Sequence, residues 1–271
     1  MFKRVIQNIL ARFGYAFRKC STLVPFLPFV RQISLPGINF NFWIANNEAA
    51  NWYVQKDWMD GAEFKGLQNL VRPGDSVLEI GSHHGFTALL ISQLVGSSGR
   101  VITLEAHPEN ALICMAQIFL NKTVENIQII NMAASDAPKT IRMSYLHNSS
   151  VTTESANSFE ISASTGDYIL SEYGPFNVLK IDVEGHELSV LSGCRKLLNS
   201  RPRIELEIHL DLLQARGDSI NDLFELINIE QYEGEMYCRD SDNPNDLVPF
   251  NPTTLPNNGI VNVFLKPKAI H

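Results

Sequence analysis

Val77-Leu78-Glu79-Ile80-Gly81-Ser82-His83-His84-Gly85 decides the fold of this chain. An apolar run reaches an acid and passes straight into a glycine-bounded turn, and FTALLISQLV (residues 86–95) then has the composition of a buried helix. Strand, acid-bearing glycine loop and helix in that order form the unit that holds a nucleoside-sized cofactor at the carboxyl edge of a parallel sheet. A dinucleotide loop, G-x-G-x-x-G, uses its second glycine to admit a pyrophosphate and its third to seat the helix. Counted from Gly81, those positions hold His83 and Phe86. Neither leaves room for a diphosphate, and the loop carries no Lys or Arg to neutralise one.

The loop supplies a carboxylate instead. Glu79 suits a cofactor with a cationic amino-acid end, such as the ammonium of S-adenosylmethionine; the competing reading makes it a solvated residue at an ordinary turn. A second acid follows at the expected distance. VITLEA (residues 101–106) ends in Glu105 and Ala106, and an acid closing the second strand accepts hydrogen bonds from ribose hydroxyls. Pro108 then stands where a first helical turn favours it. Ala111, Leu112, Met115, Ile118 and Phe119 recur at helical spacing.

At 271 residues the chain can bury one substantial core. A net charge of −7 argues against a protein that coats nucleic acid. The first 47 residues carry Lys3, Arg4, Arg12, Arg18, Lys19 and Arg31 with no acid, so a balance of +6 there leaves −13 for the remainder. Residues 1–20 read as a basic amphipathic helix, packed on the body or lying on an anionic membrane face. Residues 1–45 are expected to form a basic extension and residues 46–271 the cofactor-binding domain. No signal-peptide pattern or bilayer-length apolar run is evident. Cys20, Cys114, Cys194 and Cys238 lack metal spacing and read as buried thiols, which points to a reducing cytoplasmic setting.

Beyond Pro73-Gly74 the pattern alternates. Strands are expected at 76–81, 101–106, 127–133, 177–182 and 203–209, with helices at 85–95, 108–121, 185–198 and 218–229. Such alternation implies an α/β fold with a parallel sheet covered on both faces. Tyr232–Arg239 and Asn262–Lys266 read as two closing strands, giving an antiparallel edge. Residues 39–44 suit a hairpin strand, residues 46–61 a lid or covering helix with Trp52, Tyr53 and Trp58, and residues 141–165 an irregular strand pair or substrate-facing loop.

With VLKIDVEGHELSVLSG (residues 178–193) in view, the chain resembles the FkbM family of S-adenosylmethionine-dependent methyltransferases. The resemblance rests on EIGSHHG, on Lys180-Ile181-Asp182-Val183-Glu184-Gly185-His186-Glu187, on Thr165-Gly166-Asp167 and on Glu207-Ile208-His209. It implies a class I methyltransferase fold: a Rossmann-like, mostly parallel seven-stranded sheet. It also implies methyl transfer to a hydroxyl oxygen, the family being associated with sugars and natural products. A small-molecule, carbohydrate-containing acceptor is therefore expected, with no nucleic acid, and with a homo-oligomer and peripheral membrane contact left open.

The expected cofactor contacts are Glu79, Gly81, Ser82, His83 and Gly85, then Glu105 and Ala106, Ala134 and Ser135 beside the adenine by fold analogy, and Asp182. His83 is assigned backbone contact to the cofactor's carboxylate. A sugar hydroxyl needs a base or a divalent ion to become a nucleophile. Asp182 is the first candidate base, Glu184 orients its loop, and His186 and Glu187 begin the helix. Glu207 and His209 share one face of their strand. With Asp182 they form a candidate site for magnesium or a similar ion; alternatively His209 is the base. His83 and His84, adjacent in a tight loop with no carboxylate at useful spacing, are not expected to share an ion. The rival readings are a catalytically silent cofactor-binding protein, a methyltransferase for a lipid, peptide or polyketide, and an NAD-dependent oxidoreductase, which the bulky loop disfavours.

Overall fold

A computed structural model describes residues 26–54, 61–145, 151, 157–240 and 246–269. The expected helix at residues 1–20, Cys20 and Trp58 lie outside these. A hairpin of β1 (Phe29–Leu35) and β2 (Ile38–Ile44) comes first, followed by helices Asn47–Tyr53 and Ala62–Leu70. The alternating part runs β3 (Ser76–Ile80), helix Phe86–Val95, β4 (Arg100–Glu105), helix Pro108–Leu120 and β5 (Ile127–Asn131). β6 (Ala133–Ala134), β7 (Lys139–Ser144) and β8 (Ser158–Ser164) make a small separate sheet. Helix Gly166–Tyr173, β9 (Val178–Ile181), helices Glu187–Ser192 and Arg195–Asn199, and β10 (Arg203–His209) follow. Helices Leu210–Arg216 and Ile220–Ile227 then lead to β11 (Tyr232–Cys238), β12 (Val248–Pro249) and β13 (Ile260–Pro267).

The main sheet is ordered β12-β11-β13-β10-β9-β3-β4-β5. β3 pairs parallel with both β4 and β9, whereas β13 runs antiparallel between β10 and β11. Leaving aside the two-residue β12, this is the class I methyltransferase order, and the fold is of that class. The C-terminal antiparallel strand thus lies inside the sheet between β10 and β11 and not at its edge, which the short β12 holds. The chain builds outward from β3 to β5, then returns to lay β9 on the other side of β3. That reversal is a topological switch point, where a crevice opens beyond the strand ends.

Alternation along the buried strands sorts the interior. Leu78 and Ile80 face one core with Leu179, Ile181, Leu206 and Ile208. Val77 faces another, shared by Phe40, Phe42 and Ile44 of the hairpin and by Leu67 and Leu89. One face of the hairpin is therefore packed onto the body. Helix Pro108–Leu120 clasps the outer edge of β2. The Gln117 amide exchanges two 2.8 Å bonds with the Trp43 backbone, and Asn121 bonds both backbone groups of Asn41. Edge groups that would otherwise lack partners are satisfied, each bond contributing about 0.5–1.5 kcal/mol net.

Three expected elements differ. The helix expected at 185–198 divides at Gly193 into two short helices, and only glycine fits there, since a Cβ would lie 2.1 Å from the Ser135 carbonyl oxygen. The strand expected at 127–133 divides into β5 and β6. The helix expected at 218–229 is shorter, and Leu210–Arg216 forms a separate helix before it. Cys114 and Cys194 are buried thiols as expected, and Cys238 is half-buried. Among the described residues no helix is long and apolar enough to cross a membrane.

Candidate active site

Beyond the ends of β3, β4, β5 and β9 lies a cavity of about 660 Å³. Gly81 and Asp182 set its floor. Gly81 adopts φ 91°, and a Cβ there would sit 1.8 Å from the Asp182 carbonyl oxygen. The Asp182 N–H in turn donates to the Ile80 carbonyl at 2.9 Å. Gly85 is required by another close approach, since its Cβ would lie 2.5 Å from the Cys114 sulfur. Gly85 thus packs the helix and does not line the cavity. Phe86 is wedged among Phe40, Phe42 and Tyr53.

Glu79 is not at the mouth. It is fully buried behind the loop, accepting hydrogen bonds from Thr87 and from Thr103. Burial raises its pKa. The solvated alternative is corrected: Glu79 props the loop from beneath, set back from the cavity where the ammonium contact was expected, and Thr87 lines the cavity there. Glu105 does line it. Its two oxygens accept the His83 N–H at 2.7 Å and the His107 N–H at 2.8 Å. Burial pushes its pKa up to about 7 despite those bonds. The His83 N–H, assigned above to the cofactor's carboxylate, is therefore committed to Glu105. His83 meets the cavity through its ring, whose Nδ1 is 2.8 Å from the Tyr53 hydroxyl. Ser82, Ala106, Ala134 and Ser135, the expected cofactor contacts, line the cavity, joined by Asn110, Met132, Ile141 and Met143.

The far wall is a buried ionic cluster. Asp182, Glu184 and Glu207 line the cavity, and His209 stands behind them. His209 Nδ1 is 2.8 Å from Glu187, and its Nε2 is 3.2 Å from Glu184 and 3.4 Å from Glu207. Burial opposes the charge on His209, but hydrogen bonds to Glu187 and Glu207 outweigh it and hold the imidazole up to about 11. Set between Glu187, Glu184 and Glu207, the ring carries the positive charge of the wall, which favours Asp182 over His209 for taking a proton. Glu207 accepts from Arg239 at 2.6 Å and Asn262 at 2.9 Å. Against the effect of burial, Arg239 and His209 hold it down to about 2. Burial, followed by the charge of Glu207, raises Asp182. Burial pushes Glu184 up to about 7. Glu187 begins its helix as expected, and it also orients His209.

Beneath this wall runs a layer that single motifs do not reveal. Lys180, 1% exposed, reaches Glu205 at 3.2 Å and lies between Glu205 and Glu79 in the sheet register, two residues before Asp182. Burial disfavours its charge, but Glu205, Asp182 and Glu79 together keep it ionised. Glu63, Tyr237 and Arg239 close the same side of the cavity. Sequence reasoning missed all three; the one available signal was that Tyr237 and Arg239 alternate at the end of β11.

The donors of Asp182, Glu207 and His209 lie within 4.8 Å of one another, as do those of Glu48, His83 and His84. His84 is fully buried, and burial followed by the charge of His83 pushes it down to about 3.

The family model described as methyltransferase FkbM domain matches residues 79–234, more than half of the chain. Over 41 residues the chain is 46% identical to the protein-L-isoaspartate O-methyltransferase of Methanococcus aeolicus, a match spanning 15% of this chain and only 19% of that protein. Among solved structures, a SAM-dependent O-methyltransferase from Thermotoga maritima is 13% identical, with 89% of this chain and 79% of that one covered and a TM-score of 0.45. Precorrin-6y C5,15-methyltransferase from Geobacter metallireducens is 12% identical, covering 81% and 92% respectively, with a TM-score of 0.47.

Proposed function

Since the chain belongs to the FkbM family of S-adenosylmethionine-dependent methyltransferases, we propose that it methylates a hydroxyl oxygen on a sugar or glycosylated small molecule. The cofactor supplies an electrophilic methyl group. The residues present fit it: Glu105 retains lone pairs for ribose hydroxyls while its backbone bonds hold it in place. Met132, Ala133 and Ala134 offer an apolar slot for a base, and the Gly81–Ser82 turn offers close backbone approach.

The observation that carries the reading is the position of Asp182. It lies in the cavity, on the strand next to the cofactor loop, in a setting that raises its pKa toward the working range of a general base. Its task is to hold the acceptor hydroxyl and take its proton. Glu63, Glu184, Arg216 and Arg239 surround the same volume with hydrogen-bonding groups, which favours a polyhydroxylated acceptor over a lipid tail. His209, Glu187 and Arg239 set the charge and orientation of the wall.

A second reading has its own observation. His209 gives Nδ1 to the Glu187 carboxylate and turns Nε2 toward Glu184 and Glu207, with Asp182 close by, an arrangement like that of metal-bound histidines. With a divalent ion in place the imidazole would be neutral, and the ion would lower the hydroxyl's pKa.

The test is methyl transfer from labelled S-adenosylmethionine to a panel of glycosides, with and without chelator. An O-methyl ether formed equally in chelator supports the Asp182 reading. A product lost in chelator and restored by magnesium supports the second. Transfer confined to amine or carboxylate acceptors would overturn the hydroxyl assignment.

A further inference from the structure

We infer that Glu48, His83 and His84 form a site for a borderline transition-metal ion, of which zinc is the representative, and that this ion ties the covering helix to the cofactor loop. His84 carries the argument. Its side chain is fully buried, yet among the described residues neither ring nitrogen has a hydrogen-bond partner. The Asn110 amide is the polar neighbour that favours the ring's charge, but it makes no well-formed hydrogen bond to either nitrogen. An imidazole deprived of both water and partners is destabilising to bury, unless something else fills the gap.

The surroundings are those of a ligand set. The His83 and His84 rings stack at 3.9 Å with 17° between their planes, so their edges project side by side. The carboxylate that the sequence did not seem to provide arrives from another element: Glu48, in the first turn of helix Asn47–Tyr53, is 3.4 Å from His83 Nε2. One donor atom from each residue lies within 4.8 Å of the others. Small side-chain rotations bring such a set to the separations of a tetrahedral ion, with one position left for water. Two imidazoles and one carboxylate select zinc, cobalt, nickel or copper over magnesium or calcium.

The position gives the site a consequence. His83 takes φ 49° in the loop after β3, and its N–H fixes Glu105. Tyr53, one turn beyond Glu48, lines the cavity and bonds the same His83 ring. An ion here would lock the cover, the loop and Glu105 as one unit, making cofactor affinity responsive to zinc. The binding of the ion itself does not depend on the methyltransferase assignment.

The experiment uses untagged full-length protein stripped with chelator and titrated with zinc against a chromophoric competitor, then with cobalt. The expected result is one tightly held zinc per chain, and cobalt absorption in the visible range typical of a tetrahedral nitrogen–oxygen site. His84→Phe, which keeps the packing, should abolish uptake. Glu48→Gln should weaken it by at least about 10-fold, the size of effect seen even for groups outside the ligand shell. Absence of zinc uptake by the parent protein would overturn the site. So would undiminished uptake in both variants, which would place the ion at Asp182, Glu207 and His209. Should His84→Phe fail to fold, Glu48→Gln decides alone.

Discussion

The carbonyl oxygen of Asp182 occupies the space in which a side chain at Gly81 would begin, 1.8 Å from the ideal Cβ position. Two strand ends separated by a hundred residues of chain are thereby held in register, and the candidate base sits beside the cofactor loop because nothing larger than glycine separates them.

Gly81→Ala should therefore fail twice. The φ of 91° costs a side chain about 1–2 kcal/mol, and the collision displaces either the loop or Asp182. A thermal melt several degrees lower, together with loss of adenosylhomocysteine binding, is expected. A variant with unchanged melting and binding would show that the two strand ends are not rigidly apposed.

Asp182→Asn keeps the shape and removes the base. Methyl transfer should fall by about 10²–10⁴-fold with adenosylhomocysteine affinity retained. Equal loss of both would show that Asp182 holds the cofactor instead. Steady-state kinetics alongside calorimetry separates these outcomes.

Lys180 supplies the positive charge beneath the wall and lowers the pKa of Asp182 against burial and Glu207. In Lys180→Met the carboxylate should ionise only at higher pH, so the acid limb of kcat/KM moves upward. Stranding Glu205 would cost about 3–5 kcal/mol, so Lys180→Met with Glu205→Leu is the companion variant that restores packing. An unmoved pH profile in the double variant would remove Lys180 from the tuning of the base.

His209 predicts a stability window. Its folded pKa, raised from 6.5 to about 11, makes its stabilising effect complete below about 6.5 and progressively lost as pH rises toward 11. His209→Gln should destabilise strongly at pH 6–7, and its deficit relative to the parent should shrink by about pH 10. Denaturant titrations at several pH values check this; a deficit that grew with pH would contradict it.

How much of this was legible in the sequence depends on locality. Glu105 and Asp182 end apolar runs and precede turns, so their meeting at one sheet edge followed from the alternation of strands and helices. Helix Ala62–Leu70 went unread because Gly66 sits at its centre, lowering helix propensity by about 1 kcal/mol. That glycine exists for Phe264, whose ring would lie 2.4 Å from any Cβ there. Helix Gly166–Tyr173 begins on a glycine for a similar reason, pressed against the Cys194 sulfur. Glu63 belongs to no local pattern and Arg239 only to the alternation at the end of β11, and only the fold brings them to the cavity of Asp182. Glu79 shows the opposite failure: its position in the motif was plain, but which side of the loop it faced was not.

Calorimetric titration with adenosylhomocysteine tests the central claim most directly. One site per chain is expected in the parent protein, no heat with NAD, and affinity reduced by at least about 10-fold in Glu105→Ala, the loss of about 1.4 kcal/mol. Binding of NAD in place of adenosylhomocysteine, or affinity indifferent to Glu105, would contradict it.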